Sequence, residues 1–565
     1  MPKRAAFAIF MATLLIFGCF LLLPVWETVR GGFVDVDGRF TLAYLVEVFA
    51  NPLQLQCLAN SLAIAFLTTT TALLLAFPLA FFSCRYEFWG KRCLSALVLV
   101  PLILPPFLGA IGVLKIFGSH GILNALLFHC GIFDHFVPID WLGHAKMGAV
   151  VLFQALNLYP ILFLNISAAI ANVDPAMEEA AAGMGCIGLR RFFAITFPLT
   201  RPGVFAGVTI VFIWSFTELG VPLIFNYDRV LPVQIFGMLK ELGNNPFPYA
   251  LATVVLFLST AFYWIGKRHL ADKDNVAMLA KATHGGGPRR IGLGKKLFCT
   301  LFFATVTGLS LLPHLVVIGY SFAGDWFNSA LPNHWTLHNY AAALGHPLTV
   351  SSIRHSLFYA GCATFGASIL GTLIALVVVR SKLRWRGILD VLAMLPLAVP
   401  GIIIAFGYLV ISQRGHLFSF LNPIENPTML LIIAYAIRKL PFMVRAAVAG
   451  LQQTSPAYEE AAASLGSRPW HTYCRITIPL IFSNLVAGCL LVFSQTMLEV
   501  SDSLIIAQKQ QFYPITKAIY ELMNLMGEGP YLACALGVWA MAFLAVTLAG
   551  ASMFMGKKLG AIFRA

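Results

Sequence analysis

Three carboxylates stand where the sequence leaves almost no water. Glu218 follows Gly203 after about fifteen residues of largely apolar chain, Glu499 ends a similar run, and Asp502 lies one helical turn beyond it. An ionised acid deep in hydrocarbon costs roughly 2.5–3.5 kcal/mol on insertion scales, so such groups face a polar cavity or a partner. Two kinds of chemistry fit. The acids could draw a cationic or metal substrate along a path, or they could form a structural ion pair or a protonated, hydrogen-bonded acid inside a helix bundle. A second set of side chains, His120, His129, Cys130, Asp134, His135, Asp140 and His144, falls in one polar segment. Its spacing fits no standard metal-ligand pattern, and no metal site is assigned. The chain contains no Gly-x-x-x-x-Gly-Lys-Ser/Thr phosphate loop and no recurring constellation of nucleophile, base and metal, so neither ATP hydrolysis nor another catalytic activity is expected of it, nor a cofactor.

The elements that must position these acids occur twice. The stretch Glu178-Glu179-Ala180-Ala181-Ala182-Gly183-Met184-Gly185 runs on to Ile195-Thr196-Phe197-Pro198-Leu199. It returns 281 positions later, without a gap, as Glu459-Glu460-Ala461-Ala462-Ala463-Ser464-Leu465-Gly466 and Ile476-Thr477-Ile478-Pro479-Leu480. The same offset carries Glu218 to Glu499. Each copy reads as a short polar helix: an acidic first turn that suits the helix dipole, an alanine run of high propensity, and a glycine, Gly185 or Gly466, that ends it and allows a tight turn. Both helices are expected in water. Upstream, Asn60-Ser61-Leu62 matches His355-Ser356-Leu357, Arg85 matches Arg380, and Pro101 and Pro105 match Pro396 and Pro400, all at an offset of 295. The first half therefore carries extra residues between Gly112 and Tyr159.

With 59% hydrophobic residues, 11% charged and a mean hydropathy of +0.82, the bilayer must be the main solvent. The formal charge of +14 does not point to nucleic acid, because Lys and Arg gather in short loops between apolar runs. The eleven cysteines imply no disulfide framework, since most sit inside apolar segments. The spacing predicts an all-α polytopic membrane protein of about twelve spans in two parallel six-helix repeats. Residues 1–266 form the first half with its motif at 178–198, 267–296 a polar linker around Gly285-Gly286-Gly287-Pro288, and 297–565 the second half with its motif at 459–479. The basic clusters place the linker, the motifs and both termini in the cytoplasm, and Asp134 and Asn422 outside. Spans bearing Pro101, Pro105 and Pro106, or Pro396 and Pro400, are expected to be kinked or unwound.

Glu-Ala-Ala followed by Gly and then Ile-x-x-Pro, twice, resembles the coupling motif of the permease subunits of type I ABC importers. The resemblance covers nearly the whole chain. It implies that Glu178, Glu179, Ala180, Ala181 and Gly185, with Glu459, Glu460, Ala461, Ala462 and Gly466, meet a separate ATPase. It implies two ATP-binding subunits, an external substrate-binding protein, and a bacterial inner-membrane location. Fused permeases of this length are similar to ferric-iron importers most, with thiamine, polyamine and phosphonate importers as neighbours. The run Phe216-Thr217-Glu218-Leu219-Gly220 to Pro222 resembles that group's acidic fifth span, although Asp is commoner there than Glu. Glu218, Glu499 and Asp502 are thereby expected to border the substrate pathway, the two glutamates across a pseudo-twofold axis. The reading from another class is an ion-coupled secondary transporter, which needs no coupling helices.

Overall fold

The computed structural model describes residues 3–132, 138–239, 245–270, 289–413, 415 and 418–555. Asp134, His135 and the Gly285–Pro288 run of the linker lie outside these residues. Among the described residues the architecture is helical, with one pair of two-residue strands. Among the described residues ten helices are long and apolar enough to cross a membrane, or eleven if the pair Arg386–Ala398 and Gly401–Ile411 is one span. A further helix, Thr428–Gln453, is long enough at 26 residues but carries Arg438, Lys439 and Arg445 within its length. It covers residues 429–451, an apolar run that the sequence predicts as a span.

Proline shapes the third span of each half. The second-half pair bends by 100° at the break before Gly401, where Val399 and Pro400 are extended. In the first half, Lys91–Leu97, Val100–Ile103 and Pro106–Phe117 replace one continuous helix, because Pro105 and Pro106 cannot continue the hydrogen-bond ladder behind them. The polar segment after Gly118 is not all loop: Ile122–His129 is helical, and the next helix starts at Trp141, kinks at Ala145 and crosses as Ala145–Ala171.

The chain forms two compact units. One comprises Pro52–Gln234 and Phe257–Leu337. At its centre the 34-residue helix Pro52–Arg85 packs against Trp141–Ala171 and Phe197–Phe216. The helix Leu293–Ser321 joins it, closing on Pro106–Phe117 where Gly112 lets the backbones meet; a Cβ there would lie 2.0 Å from the Pro313 carbonyl oxygen. The other unit comprises Met1–Asn51, Ile235–Leu256 and His338–Ala565. Its centre repeats the same plan with Pro347–Arg380 against Thr428–Gln453 and Ile478–Met497. There Leu23–Gly31 closes on Gly401–Ile411 at Gly407, the repeat mate of Gly112, where a Cβ would lie 2.5 Å from the Pro24 carbonyl oxygen. Both contacts need a residue without a side chain.

Candidate functional site

The two motif helices are Pro175–Gly183 and Ala457–Ser464. Asp174 caps the first, its carboxylate accepting from the Ala176 amide at 2.9 Å, and Pro175 pre-sets the first helical residue. Both end in the same Schellman turn. Cys186 N–H donates to Ala181 O at 2.9 Å and Gly185 N–H to Ala182 O at 3.0 Å; Ser467 N–H donates to Ala462 O and Gly466 N–H to Ala463 O, each at 3.0 Å. Gly185 and Gly466 hold left-handed backbone, at φ +81° and +80°, with open space where a side chain would go. Conformation, not crowding, therefore requires glycine.

The sequence predicts both motif helices in water, but each buries one face against the spans. Glu178 is 6% exposed. Its Oε1 accepts from Arg85 Nη2 at 2.7 Å and from Thr196 Oγ1 at 2.8 Å. In the second copy Glu459 Oε1 accepts from Arg380 Nε at 2.9 Å and from Thr477 Oγ1 at 3.2 Å. Arg380 also donates through Nη2 to the carbonyls of Leu451 and Thr454, at 3.0 and 2.7 Å, tying down the end of Thr428–Gln453. Ala181 and Ala462, one turn on, are buried beside the glutamates, whereas Glu179, Glu460, Ala180 and Ala461 face outward. Beyond the turn Met184 is 82% and Leu465 89% exposed. Each motif thus presents two acids' worth of different work: one glutamate holds the helix to the membrane domain, its neighbour faces away beside an exposed apolar tip.

The three acids of the spans lie where helices stop. Glu218 falls between Phe197–Phe216 and Gly220–Ile224, and Glu499 between Ile478–Met497 and Ser501–Ile506. Matched breaks in membrane helices occur where unwound backbone is buried in protein or lines a cavity. Around Glu499 the charges balance. Its Oε1 pairs with Arg438 Nη1 and its Oε2 with Lys439 Nζ at 2.6 Å, while Arg438 Nη1 stands 3.2 Å from Asp502 Oδ2. Glu499 is 6% exposed, Asp502 0% and Lys439 8%. Half-buried Glu218 accepts from the Gly220 amide at 3.0 Å. At the repeat positions of Arg438, Lys439 and Asp502 the first half has Asn157, Leu158 and Val221. Sequence reasoning missed Arg438 and Lys439, although two adjacent cations inside an otherwise apolar run are a signal for a buried acid partner, and it missed the Arg85 and Arg380 contacts, although the two arginines match in the repeat.

In the polar segment the described residues form no cluster suited to a metal. His120 Nδ1 meets Asn328 Oδ1 at 2.8 Å, His129 Nδ1 meets its own helix at Ala125 O, and Asp140 caps the next helix at the Gly143 amide.

A duplicated set of membrane helices, each carrying a short helix strapped to its inner core by an Arg–Glu pair, defines a class of fused transport permeases. The chain belongs to the family described as binding-protein-dependent transport system inner membrane component, which matches twice, over residues 70–273 and 367–552. It is a non-catalytic, multi-pass inner-membrane subunit whose family works with an ATP-binding subunit and a substrate-binding protein. The Fe(3+)-transport system permease protein FbpB 2 of Haemophilus influenzae is 24% identical over 567 residues, 99% of each chain. The ferric transport system permease protein FbpB of Actinobacillus pleuropneumoniae is 27% identical over 474 residues, 81% of this chain and 64% of that relative. The spermidine/putrescine transport system permease protein PotB of Haemophilus influenzae is 30% identical over 264 residues, 45% of this chain and 91% of the relative.

Proposed function

We propose that this chain forms the route by which ferric iron crosses the inner membrane in an ATP-driven importer. The observation that carries the reading is the likeness to a ferric permease along 99% of both chains, joined to acids at matched helix breaks. Ferric iron is a hard cation that favours oxygen donors such as carboxylates. Glu218, Glu499 and Asp502 border the route, with Glu218 the acid that meets the cargo and Glu499 the one that anchors its own cluster with Arg438 and Lys439. Two ATP-binding subunits dock, one at each motif, taking the exposed tips Met184 and Leu465 into their clefts. A binding protein delivers the substrate from outside, and both termini and the linker lie in the cytoplasm.

The test is uptake by proteoliposomes that contain this chain with its ATPase and binding protein. ATP-dependent accumulation of ferric iron, and not of spermidine, thiamine or a phosphonate, is expected. Accumulation of one of those solutes instead would replace the substrate but keep the permease role. Uptake driven by an ion gradient without ATP would overturn both.

A further inference from the structure

Beside the first motif helix lies a cavity of about 750 Å³, within the roughly 300–1,000 Å³ of small-molecule sites. Its walls are phenylalanine: Phe77, Phe81 and Phe82 from Pro52–Arg85, and Phe192, Phe193 and Phe197 from the start of the fifth span. Edge-on contacts lock this wall, with Phe77 and Phe192 ring centres 5.4 Å apart and Phe81 and Phe192 5.6 Å apart. Three guanidinium groups reach the same space, those of Arg85, Arg191 and Arg289. Glu178 is the carboxylate on the wall, and Arg85 already neutralises it at 2.7 Å. Arg191 and Arg289 have no ion pair or side-chain hydrogen bond among the described residues, which leaves the cavity two positive charges in excess. Arg289 is held there by backbone, since Arg289–Arg290 pairs in parallel with Tyr86–Glu87 at the end of the long helix. Leu74 on the rim is 68% exposed, so the apolar end opens toward the lipid-facing side of that helix.

A long apolar slot with unneutralised arginines at one end matches an amphiphile with an anionic head. We propose that the cavity binds an anionic glycerophospholipid of the inner leaflet, its phosphate on Arg191 and Arg289 and one acyl chain along the phenylalanines. Basic pockets between membrane helices on the cytoplasmic side have this use. The inner-leaflet assignment rests on the permease reading, which puts the motif helices in the cytoplasm. The second half is an internal control. At the repeat positions of Phe77, Phe81, Phe82, Arg191, Phe192 and Phe193 it has Thr372, Leu376, Val377, Thr472, Tyr473 and Cys474. One lipid site is thus built per chain, against the wall of one motif helix, and its occupant touches the same Glu178–Arg85 pair that holds that helix.

The test is native mass spectrometry of the full complex with its ATPase, titrated with phosphatidylglycerol, with phosphatidylcholine and with inorganic phosphate. Wild type should retain phosphatidylglycerol over phosphatidylcholine, and phosphate should not displace it. In Arg191→Gln with Arg289→Gln the affinity should fall about 30-fold, the equivalent of ~1 kcal/mol for each basic residue. Phe81→Leu with Phe192→Tyr, residues that the second half already uses at those places, should weaken binding with assembly intact. Equal binding of both lipids by wild type, displacement by phosphate, or undiminished binding in both variants would overturn the site. The same samples report whether the ATPase copurifies. Its absence from wild type counts against the permease reading, whereas its presence with unchanged lipid binding in the variants counts against the lipid site alone.

Discussion

Arg85 Nη2 stands 2.7 Å from Glu178 Oε1, and their repeat mates Arg380 and Glu459 meet at 2.9 Å. In each case the arginine is the last residue of a 34-residue helix, roughly 50 Å long at 1.5 Å per residue, and the glutamate lies in the first turn of the motif helix. The threonine that completes the contact, Thr196 or Thr477, stands at the start of the fifth span, 22 residues before the acid at its break. A force on the motif helix therefore reaches two spans through one carboxylate.

Removing that arginine should detach the motif helix. Arg85→Ala leaves a buried carboxylate without its partner, a loss on the order of 3 kcal/mol. Arg380→Ala should cost more, because Arg380 also satisfies the Leu451 and Thr454 carbonyls. We expect both variants to reach the membrane with lowered thermal stability and to hydrolyse ATP with their partner subunits without uptake. Melting temperature and the ratio of transport to ATPase activity check this; a coupling ratio equal to wild type in both would exclude the strut.

Much of this was legible in the sequence. The offset of 281 carries one motif helix onto the other down to the paired amides of the closing turns, and apolar length marks the spans. What escaped was the inward half of the motif. An acid in a polar helix reads as solvated unless its partner is known, and Arg85 is 93 residues from Glu178. The cations at 438 and 439 escaped for a similar reason: they interrupt an apolar run as loop residues would, and only the fold brings them against Glu499. The compact units, with residues 1–51 grouped beside 338–565, have no local signature at all.

The left-handed turns make a narrower prediction. Any side chain at Gly185 or Gly466 must adopt φ near +80°, which costs roughly 1–2 kcal/mol although space is open around both. Gly185→Ala or Gly466→Ala alone should loosen the turn and lower coupling a few-fold. Gly185→Glu with Gly466→Glu should abolish ATP-driven uptake while the chain remains in the membrane. Wild-type uptake by the double variant would show that the turns have no part in coupling.

Orientation can be read with cysteine labelling. A cysteine at Gly286 should resist an impermeant thiol reagent in intact cells and react once the membrane is opened, while one at Asn422 should react in both. The native Cys93, Cys130 and Cys474 are exposed, so they are first replaced by serine. Labelling of position 286 in intact cells would reverse the assignment of sides.

The acids separate under neutral substitution because their surroundings differ. Glu499→Gln keeps shape and a hydrogen bond but leaves Arg438 and Lys439 facing Asp502 alone, an uncompensated buried charge that costs roughly 3–5 kcal/mol. The expected outcome is poor assembly with the ATPase. Adding Lys439→Met restores neutrality and should recover assembly, and the double-mutant cycle measures that coupling directly. At the repeat positions of Arg438 and Lys439 the first half has Asn157 and Leu158, and Glu218 accepts from the Gly220 amide, which a glutamine oxygen can also do. The Glu218→Gln variant should assemble and hydrolyse ATP as wild type does yet import ferric iron at least tenfold more slowly, a rise of about 1.4 kcal/mol or more in the barrier. Uptake at the wild-type rate in Glu218→Gln would remove Glu218 from the route, and normal assembly of Glu499→Gln without the second substitution would remove the anchoring role from Glu499.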